Sequence, residues 1–334
     1  MAGQTPTSVM KNNASIYIIS GILSVALLGY LLFNLDWNTL KTAYAEIHWG
    51  WLGMALSAYL VNITLRALRF KNLIYSRPTR WLDLVPVSAL HNILMYLMPA
   101  KTGDVSYIFI VKDRLGISIA EGSATLLAAR LYDFVIVASF LAFILPFAES
   151  EMPVWIYQSS VVFCLVVLLG AVAVFTFLRF RKPPKISDKK PSAEKRNLLT
   201  RLVTTWDRFL AGLQEIQANG AHLKTAVLTA GIWACVYLNF YSATQSMGLS
   251  IPLYHIVIIS IVMIPLTLLP LQGFANIGTH EIGWTSVLVA FNYPYATALA
   301  VAAGSHFVLL ISVLVSGGIA FFGARTIQSL TART

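Results

Sequence analysis

The stretch LLPLQGFANIGTHEIGW, residues 268–284, interrupts an apolar region with a proline, three glycines, an asparagine, a histidine and a glutamate. The whole chain is 57% hydrophobic and 11% charged, with a mean hydropathy of +0.71. A soluble domain has about 45–50% apolar and about 25% charged residues. The composition therefore predicts an integral membrane protein, in which a carboxylate at Glu281 needs a specific explanation.

Six stretches are long and apolar enough to be transmembrane helices, which need about 20 mostly apolar residues. They are residues 15–33, 49–69, 122–147, 154–178, 223–247 and 296–323. The first is followed by FNLDWN, residues 33–38, and not by a small-residue cleavage site. We therefore expect it to remain as a membrane anchor and not to be removed as a signal peptide.

Two further apolar regions, residues 84–116 and 252–291, are broken by proline, glycine and polar residues. Irregular backbone at membrane depth must lie inside protein or line a wet cavity, because lipid cannot satisfy its hydrogen bonds. We interpret both regions as re-entrant helical hairpins. The predicted fold is all-α and polytopic, with about six full transmembrane helices and two re-entrant hairpins.

The distribution of charge predicts the orientation. With both termini cytoplasmic, the inside loops hold a basic segment between Arg179 and Arg208 and, after the second span, Arg66, Arg69, Lys71, Arg77 and Arg80. The outside loops hold a single lysine, Lys41, against four acids, Asp36, Glu46, Glu149 and Glu151. This asymmetry follows the positive-inside rule only if each broken region returns to the side from which it came.

That topology contains a repeat. A span, a broken hairpin and a second span occur at residues 49–147 and again, from the opposite side, at residues 223–323. Gly116 and Arg130 are fourteen residues apart, as are Asn292 and His306. Inverted repeats with interrupted helices in corresponding positions indicate a transport site near the midplane of the membrane. The rest of the chain divides into an anchor and outside loop (1–48), a connecting span with a basic linker and an interfacial helix (148–222), and a C-terminal tail (324–334).

Ionisable residues inside membrane segments are functional candidates, because even insertion scales assign about 2.5–3.5 kcal/mol to a buried charge. With glycines that let backbone approach a ligand, the candidate substrate-binding residues are Lys101, Gly103, Asp104, Arg130, Asp133, Gly278, His280, Glu281 and His306. Arg130 and Asp133 can pair on one helix face. The sequence leaves open whether this pair is static or whether the planar guanidinium is shared with an anionic ligand.

Two interpretations are open for Glu281. It can cap a half-helix and pair there, with Arg130 as a candidate partner across the repeat axis. Alternatively, Glu281 and His280 titrate as part of a proton-coupled or ligand-competed gate that faces the cavity.

Enzyme signatures are missing from the sequence, which has no HExxH, GxSxG, P-loop or CxxC pattern. We expect no cofactor and no metal ion, and we interpret Cys164 and Cys235 as inert core residues. The formal charge of +10 is assigned to loops that face anionic lipid headgroups, and nucleic acid is not an expected partner.

Three segments together resemble a known family: MPAKTGD (98–104), ATLLAARLYDF (124–134) and LPLQGFANIGTHEIGW (269–284). They are similar to the flippase-like transmembrane domain of lysylphosphatidylglycerol synthase/flippase proteins, and the resemblance covers residues 12–325. The family's first motif usually has Arg and Glu where this chain has Lys101 and Asp104, and its second usually has Arg where this chain has His280. Its best-known members add a soluble aminoacyl-transferase domain, and we do not expect their synthase activity here.

The resemblance implies a lipid flippase of the cytoplasmic (inner) membrane. The expected cargo is an anionic phospholipid or a polyprenyl-phosphate-linked lipid, whose phosphate is held by Arg130, Lys101 and half-helix N-termini. One alternative is a membrane-embedded enzyme acting on a lipid phosphate or glycolipid, with Asp104, Asp133 or Glu281 as acid or base. Another is an accessory scaffold for a glycosyltransferase. The sequence leaves open whether a lipid-modifying enzyme is a partner and whether the chain forms a homo-oligomer.

Overall fold

The computed structural model describes residues 47–98, 102–148, 152–180, 210–216, 220–268 and 274–331, together with isolated positions between residues 21 and 41. Within these residues the regular structure is helical, and no strand occurs. The helices are α1 (Trp49–Leu73), α2 (Trp81–Leu97), α3 (Thr102–Leu115), α4 (Ile119–Ala148), α5 (Val154–Phe180), α6 (His222–Ser246), α7 (Leu253–Leu268), α8 (Thr279–Ala290) and α9 (Tyr295–Thr331), with a short 3-10 turn at Phe274–Asn276 before α8.

Five of the described helices are long and apolar enough to cross a membrane: α1, α4, α5, α6 and the Tyr295–Ile319 part of α9. They coincide with five of the six predicted spans, and the all-α polytopic fold is confirmed. The predicted span at residues 15–33 falls almost wholly outside the described residues. The basic linker between Phe180 and residue 210 also lies outside them.

The two predicted hairpins are pairs of short helices. Helices α2 and α3 have 17 and 14 residues, and α7 and α8 have 16 and 12. At about 1.5 Å per residue these helices are roughly 18–26 Å long, which is less than the roughly 30 Å hydrocarbon core. Within each pair the two helices pack against each other. In the first pair the contact requires glycine at Gly103, because a Cβ there would overlap the Leu94 carbonyl.

The first helix pair begins and ends at the same end of the bundle. In the loop before α2, Arg77 donates from Nη1 to the carbonyl of Leu115, at the end of α3, at 2.7 Å. In the same loop the backbone N–H groups of Tyr75 and Ser76 both donate to Oε1 of Glu121, at the start of α4. These bonds hold the entry and exit of the α2–α3 pair together.

The second helix pair is closed in a similar way. His255, near the start of α7, lies 3.9 Å from the ring of Phe291, which follows α8. Its Nδ1 is 3.2 Å from the hydroxyl of Tyr293. The entry and exit of the α7–α8 pair therefore also lie side by side.

Helices α1 and α6, which begin the two halves, run antiparallel along their length. The N–H of His48 donates to the carbonyl of Ser246 at one end, and Asn72 donates to the carbonyl of Ala221 at the other. Since each helix pair follows the C-terminal end of α1 or α6, the two pairs enter the bundle from opposite ends. The contacts between the halves also come in corresponding pairs. Helix α2 packs on α9, and α7 packs correspondingly on α4. Helix α9 packs on α1, and α4 packs correspondingly on α6. An inverted repeat requires helix pairs that enter from opposite ends and contacts that correspond between the halves. Re-entry of the helix pairs into a membrane stays a prediction.

Three of the basic residues assigned to an inside loop, Arg66, Arg69 and Lys71, lie in α1, and two of them, Arg66 and Arg69, are not exposed. Helix α1 continues to Leu73, so Arg66 and Arg69 belong to the helix, and Arg69 is only 1% exposed. A buried guanidinium paired with a carboxylate does not face lipid headgroups. Of the residues assigned to the loop after the second span, only Lys71, Arg77 and Arg80 are exposed.

The predicted interfacial helix is described for residues 210–216, which are helical. Leu210 and Ile216 are buried, and Gly212 lies against Ala124 and Tyr75. Ile216 joins the apolar cluster formed by α1 to α4. This segment therefore packs on the first half of the protein through its apolar face.

Candidate functional site

A buried ion pair joins α1 to α4. Nη1 of Arg69 donates to Oδ1 of Asp133 at 2.5 Å, and the two side chains are 2% and 8% exposed. The same oxygen accepts from the indole N–H of Trp233 on α6 at 3.1 Å. Asp133, which belongs to α4, thus links α4 to both α1 and α6. Arg130, its predicted partner, is more distant, with 3.6 Å between Nη1 and Oδ2 of Asp133.

The shortest ionic contact of Arg130 is with a different residue. Its Nη2 donates to Oδ1 of Asp104 at 2.5 Å, which ties α4 to the first turn of α3. The side chains of Arg130 and Asp104 are 30% and 22% exposed. The pair is therefore more accessible than the Arg69–Asp133 pair. The predicted pairing of Arg130 with Asp133 on one helix face is present at 3.6 Å, but Asp104 is the closer partner of Arg130.

Arg66 stands one helical turn before Arg69 and is half-buried. Its Nε donates to Oδ1 of Asn62 at 2.8 Å, and the Asn62 amide donates to the Ile232 carbonyl on α6 at 2.8 Å. No carboxylate of the described residues forms an ion pair with Arg66. The cluster around Asp133 therefore contains three guanidinium groups and two carboxylates, which leaves one positive charge in excess.

The second half has its own acid–base pair. Nδ1 of His306 on α9 donates to Oε1 of Glu281 at 2.6 Å, and both side chains are buried. The other oxygen of Glu281 accepts from the N–H of Gly278 at 2.7 Å and caps α8. Gly278 has φ 85°, a left-handed conformation that favours glycine. The capping interpretation of Glu281 is therefore supported, but its partner is His306 and not Arg130.

His280 connects this pair to the space between the halves. Its ring stacks on His306 with 4.4 Å between centroids and on Trp284 at 5.3 Å. Its Nε2 lies 3.3 Å from Oγ of Ser305. His280 and Glu281 are neighbours in sequence, but Glu281 forms its hydrogen bonds with Gly278 and His306.

A cavity of about 180 Å³ lies between the two halves. Its lining includes Arg66, Arg130 and Asp133 from the first half and Trp233 and His280 from the second. Its remaining lining residues are Met95, Tyr96, Val236, Tyr237, Phe240, Ile256, Ile259, Ser260, Met263, Ile264, Asn276, Trp284 and Leu309. The cavity is thus apolar over much of its surface, with charge concentrated on the side formed by α1 and α4.

Three of the predicted site residues line this cavity: Arg130, Asp133 and His280. Asp104 lies behind Arg130, to which it is bonded. Gly103 lies at the contact between α2 and α3 and has a structural role there. Lys101 lies outside the described residues.

Three further predicted residues do not line the cavity. Glu281 and His306 lie behind His280, so the prediction that the Glu281 carboxylate faces the cavity was wrong. Gly278 forms the N-cap of α8. Because the Glu281 carboxylate already accepts from the Gly278 N–H, that N–H is not available to the phosphate of a ligand.

Sequence reasoning missed Arg66 and the aromatic part of the lining. Arg66 was counted with the charges of the following loop although it lies inside the predicted span 49–69, and the helix continues beyond that span to Leu73. Trp233, Tyr237 and Phe240 share one face of α6 at intervals of four and three residues. A run of aromatic residues on one face of a span was the signal that could have identified them.

The fold and the site define a polytopic helical membrane protein with a charged cavity between two halves. The chain belongs to the family described as the lysylphosphatidylglycerol synthase TM region, which matches residues 17–317. It is also similar to the UPF0104 membrane protein of Methanocaldococcus jannaschii, with 26% identity over 228 residues. That match covers 68% of this chain and 92% of the relative.

Proposed function

We propose that this protein moves an anionic phospholipid or a polyprenyl-phosphate-linked lipid across the cytoplasmic membrane. The observation that carries the proposal is the cavity between the halves, which contains Arg66 without a carboxylate partner among the described residues. A charge in a mostly apolar cavity that forms no direct ion pair is incompletely compensated. A phosphate bound there would supply the missing negative charge.

The chemistry of the charged side favours phosphate. The planar fork of a guanidinium group matches phosphate geometry and can form two parallel hydrogen bonds. Arg66 and Arg130 come from different helices and line the same cavity, so they can approach one phosphate from two directions. The guanidinium of Arg130 has five N–H donors, so Arg130 can bind a phosphate while it keeps its bond to Asp104.

The helix packing supplies a route for alternating access. The antiparallel α1 and α6 and the reciprocal contacts between halves are consistent with an inverted repeat. Such repeats can rock against each other around a fixed site. Since the sequence has no nucleotide-binding motif, we propose movement that is equilibrative or coupled to an ion, with both termini cytoplasmic and the acyl chains remaining in the bilayer.

The proposal includes no catalytic step. A general acid or base must reach the proton it transfers. Asp133 is held by Arg69, Arg130 and Trp233, and Glu281 is held by Gly278 and His306. These bonds favour transport over lipid chemistry. A lipid-modifying enzyme or glycosyltransferase that makes or uses the cargo would be a partner and not part of this chain.

Reconstitution into liposomes tests the proposal. The liposomes contain a trace of phosphatidylglycerol with a nitrobenzoxadiazole label, which external dithionite bleaches only in the outer leaflet. We expect the wild-type protein to expose the inner-leaflet label to dithionite. Arg66→Gln should slow this bleaching by about tenfold or more, because a hydrogen bond to a charged group contributes about 1.5–3 kcal/mol.

Two variants control this experiment. Arg66→Lys keeps the charge and should keep part of the activity. Arg114→Gln removes an exposed arginine outside the cavity and should not change the rate. Bleaching no faster than in empty liposomes, with several anionic lipids and folded protein, would refute the translocase. A new lipid product found by mass spectrometry would favour the enzyme.

A further inference from the structure

The cavity has two chemically different sides. Arg66, Arg130 and Asp133 form a charged side on α1 and α4. The aromatic side consists of Trp233, Tyr237 and Phe240 on α6 and Trp284 on α8. A ligand that fills this space has to match both sides. The lining therefore indicates the chemistry of the rest of the headgroup as well as that of its phosphate.

Among the described lining residues of the charged side, the carboxylate is that of Asp133, and its oxygens already face donor groups. Oδ1 of Asp133 accepts from Arg69 and Trp233, and Oδ2 faces Arg130. With Arg66 the described cluster has one excess positive charge. A ligand with a net charge of −1 neutralises this excess, whereas a zwitterionic headgroup leaves it in place and adds an ammonium group without a counter-charge.

Two neutral hydrogen-bonding groups of the lining are unused within the described residues. Tyr96 and Asn276 line the cavity, and the side chain of neither forms a hydrogen bond to another described residue. An amide both donates and accepts, as does a phenolic hydroxyl. Hydroxyl groups of a ligand are suitable partners for both.

The aromatic side favours a polyhydroxylated headgroup over a purely hydrophobic one. The rings present faces of partial negative charge. The weakly positive C–H faces of a polyol can pack on them while its hydroxyls turn to polar neighbours. The same faces attract an ammonium group, but the excess positive charge on the other side of the cavity opposes its entry. Trp284 is fixed by stacking on His280, and the Tyr237 hydroxyl is 3.2 Å from Oγ of Ser260. This side is therefore already ordered before a ligand binds.

We infer that the cavity binds a phosphate that carries an uncharged, hydroxyl-rich headgroup, as in a glycerol-phosphate or sugar-phosphate lipid, and that it discriminates against headgroups with an ammonium group. The phosphate lies at Arg66 and Arg130, and the headgroup hydroxyls face Tyr96 and Asn276. The inference rests on the proposed function and names the class of cargo. Lysylphosphatidylglycerol, whose lysyl group adds two ammonium groups, is accordingly a poor ligand.

Binding of soluble headgroup analogues to the purified full chain in detergent tests the inference. The thermal unfolding midpoint is followed with the phosphodiesters glycerophosphoglucose and glycerophosphoglycerol, each of net charge −1, with zwitterionic glycerophosphoethanolamine, and with inorganic phosphate at equal concentrations. We expect a rise in the midpoint with the first two and a smaller or absent rise with the last two. The larger of the first two rises distinguishes a sugar from a glycerol headgroup. An equal or larger rise with glycerophosphoethanolamine would overturn the inference.

A pair of asparagine variants separates binding from folding. Asn276 and Asn292 have left-handed backbones, with φ 56° and φ 63°, and glycine adopts this conformation readily. Asn276→Gly removes an amide from the cavity, whereas Asn292→Gly removes one from an exposed turn. We expect Asn276→Gly to weaken binding of the favoured analogue by roughly fivefold, and Asn292→Gly to leave it unchanged. Equal binding by both variants would contradict the assignment of Asn276.

The failure of this inference differs from the failure of the proposed function. Selective binding of the hydroxylated analogues without movement of any labelled lipid would support the headgroup assignment and refute transport. Equal movement of labelled phosphatidylglycerol and phosphatidylethanolamine would support transport and refute the headgroup assignment.

Discussion

The two halves contain corresponding acid–base pairs with different chemistry. Asp104 and Glu281 each stand at the third residue of the second short helix, and each pairs with a base on the long helix that follows, Arg130 or His306. The partners are 26 residues apart in the first half and 25 in the second. Each pair ties the tip of a helix pair to a long helix.

The difference lies in exposure and in the base. The side chains of Arg130 and Asp104 are 30% and 22% exposed, whereas those of His306 and Glu281 are 3% and 7% exposed. A guanidinium group is always charged, whereas an imidazole can be neutral. The first half thus offers a permanent positive charge to the cavity, and the second half keeps its pair closed behind His280. Under the proposed function, we expect the first pair to bind the ligand and the second to give structural support.

Arg69→Met should have the largest effect on folding. The substitution leaves the Asp133 carboxylate buried without its closest counter-charge, which typically costs about 3–5 kcal/mol. We expect little monodisperse protein by size-exclusion chromatography and a strongly lowered unfolding midpoint. Arg66→Met removes an arginine of the same helix that forms no ion pair among the described residues, and it serves as the matched control. Equal loss of folded protein in both variants would contradict the assigned roles.

Gly103→Ala should be the next most damaging change. The added Cβ would overlap the backbone carbonyl of Leu94, and overpacking of this kind costs about 1–3 kcal/mol. At Gly283, near the corresponding place in the second half, the obstructing atom is Sδ of the Met263 side chain, which can move. We therefore expect Gly283→Ala to lower the unfolding midpoint less than Gly103→Ala. The reverse order would show that the first helix pair is the more adaptable one.

Glu281→Ala should have a moderate effect. It removes the cap of α8, a loss of about 0.5–2 kcal/mol, and it also removes the partner of His306. Glu281→Gln keeps an acceptor for the Gly278 N–H and should lower the unfolding midpoint less. Both variants should retain lipid movement in proportion to the amount of folded protein. A folded Glu281→Gln variant without transport would instead support a gating role for this carboxylate.

Arg130→Ala should affect folding least and transport most. The Arg130–Asp104 pair is partly exposed, and such pairs contribute up to about 1 kcal/mol to stability. We expect near-normal yields of folded protein and little dithionite bleaching of the inner-leaflet label. Loss of folded protein would show that Arg130 is a static structural residue.

The sequence predicted the long helices and the two interrupted regions well, because hydrophobic runs and their breaks are local features. Arg130, Asp133 and His280 were identified as candidates because charged or polar residues are rare in such segments. The pairing of these residues was less predictable. Asp133 was expected to pair with Arg130 on its own helix, but the antiparallel packing of α1, α4 and α6 brings Arg69 and Trp233 closer.

The second half shows the same limit. Arg130 and His306 each lie fourteen residues after a turn residue with positive φ, Gly116 or Asn292, and their correspondence in an inverted repeat stays a prediction. The sequence could not show that Glu281 bonds His306, since that contact depends on how α8 packs against α9. Arg66 was missed because its role depends on a cavity formed by both halves.

The central claim is that the lipid headgroup crosses through the cavity between the halves. Val236 lines this cavity, whereas Val227, on the same helix, is 62% exposed. The rate of dithionite bleaching in liposomes should fall close to that of empty liposomes for Val236→Trp, whose ring fills the cavity, and remain at the wild-type rate for Val227→Trp. Wild-type bleaching by a folded Val236→Trp variant would contradict the account.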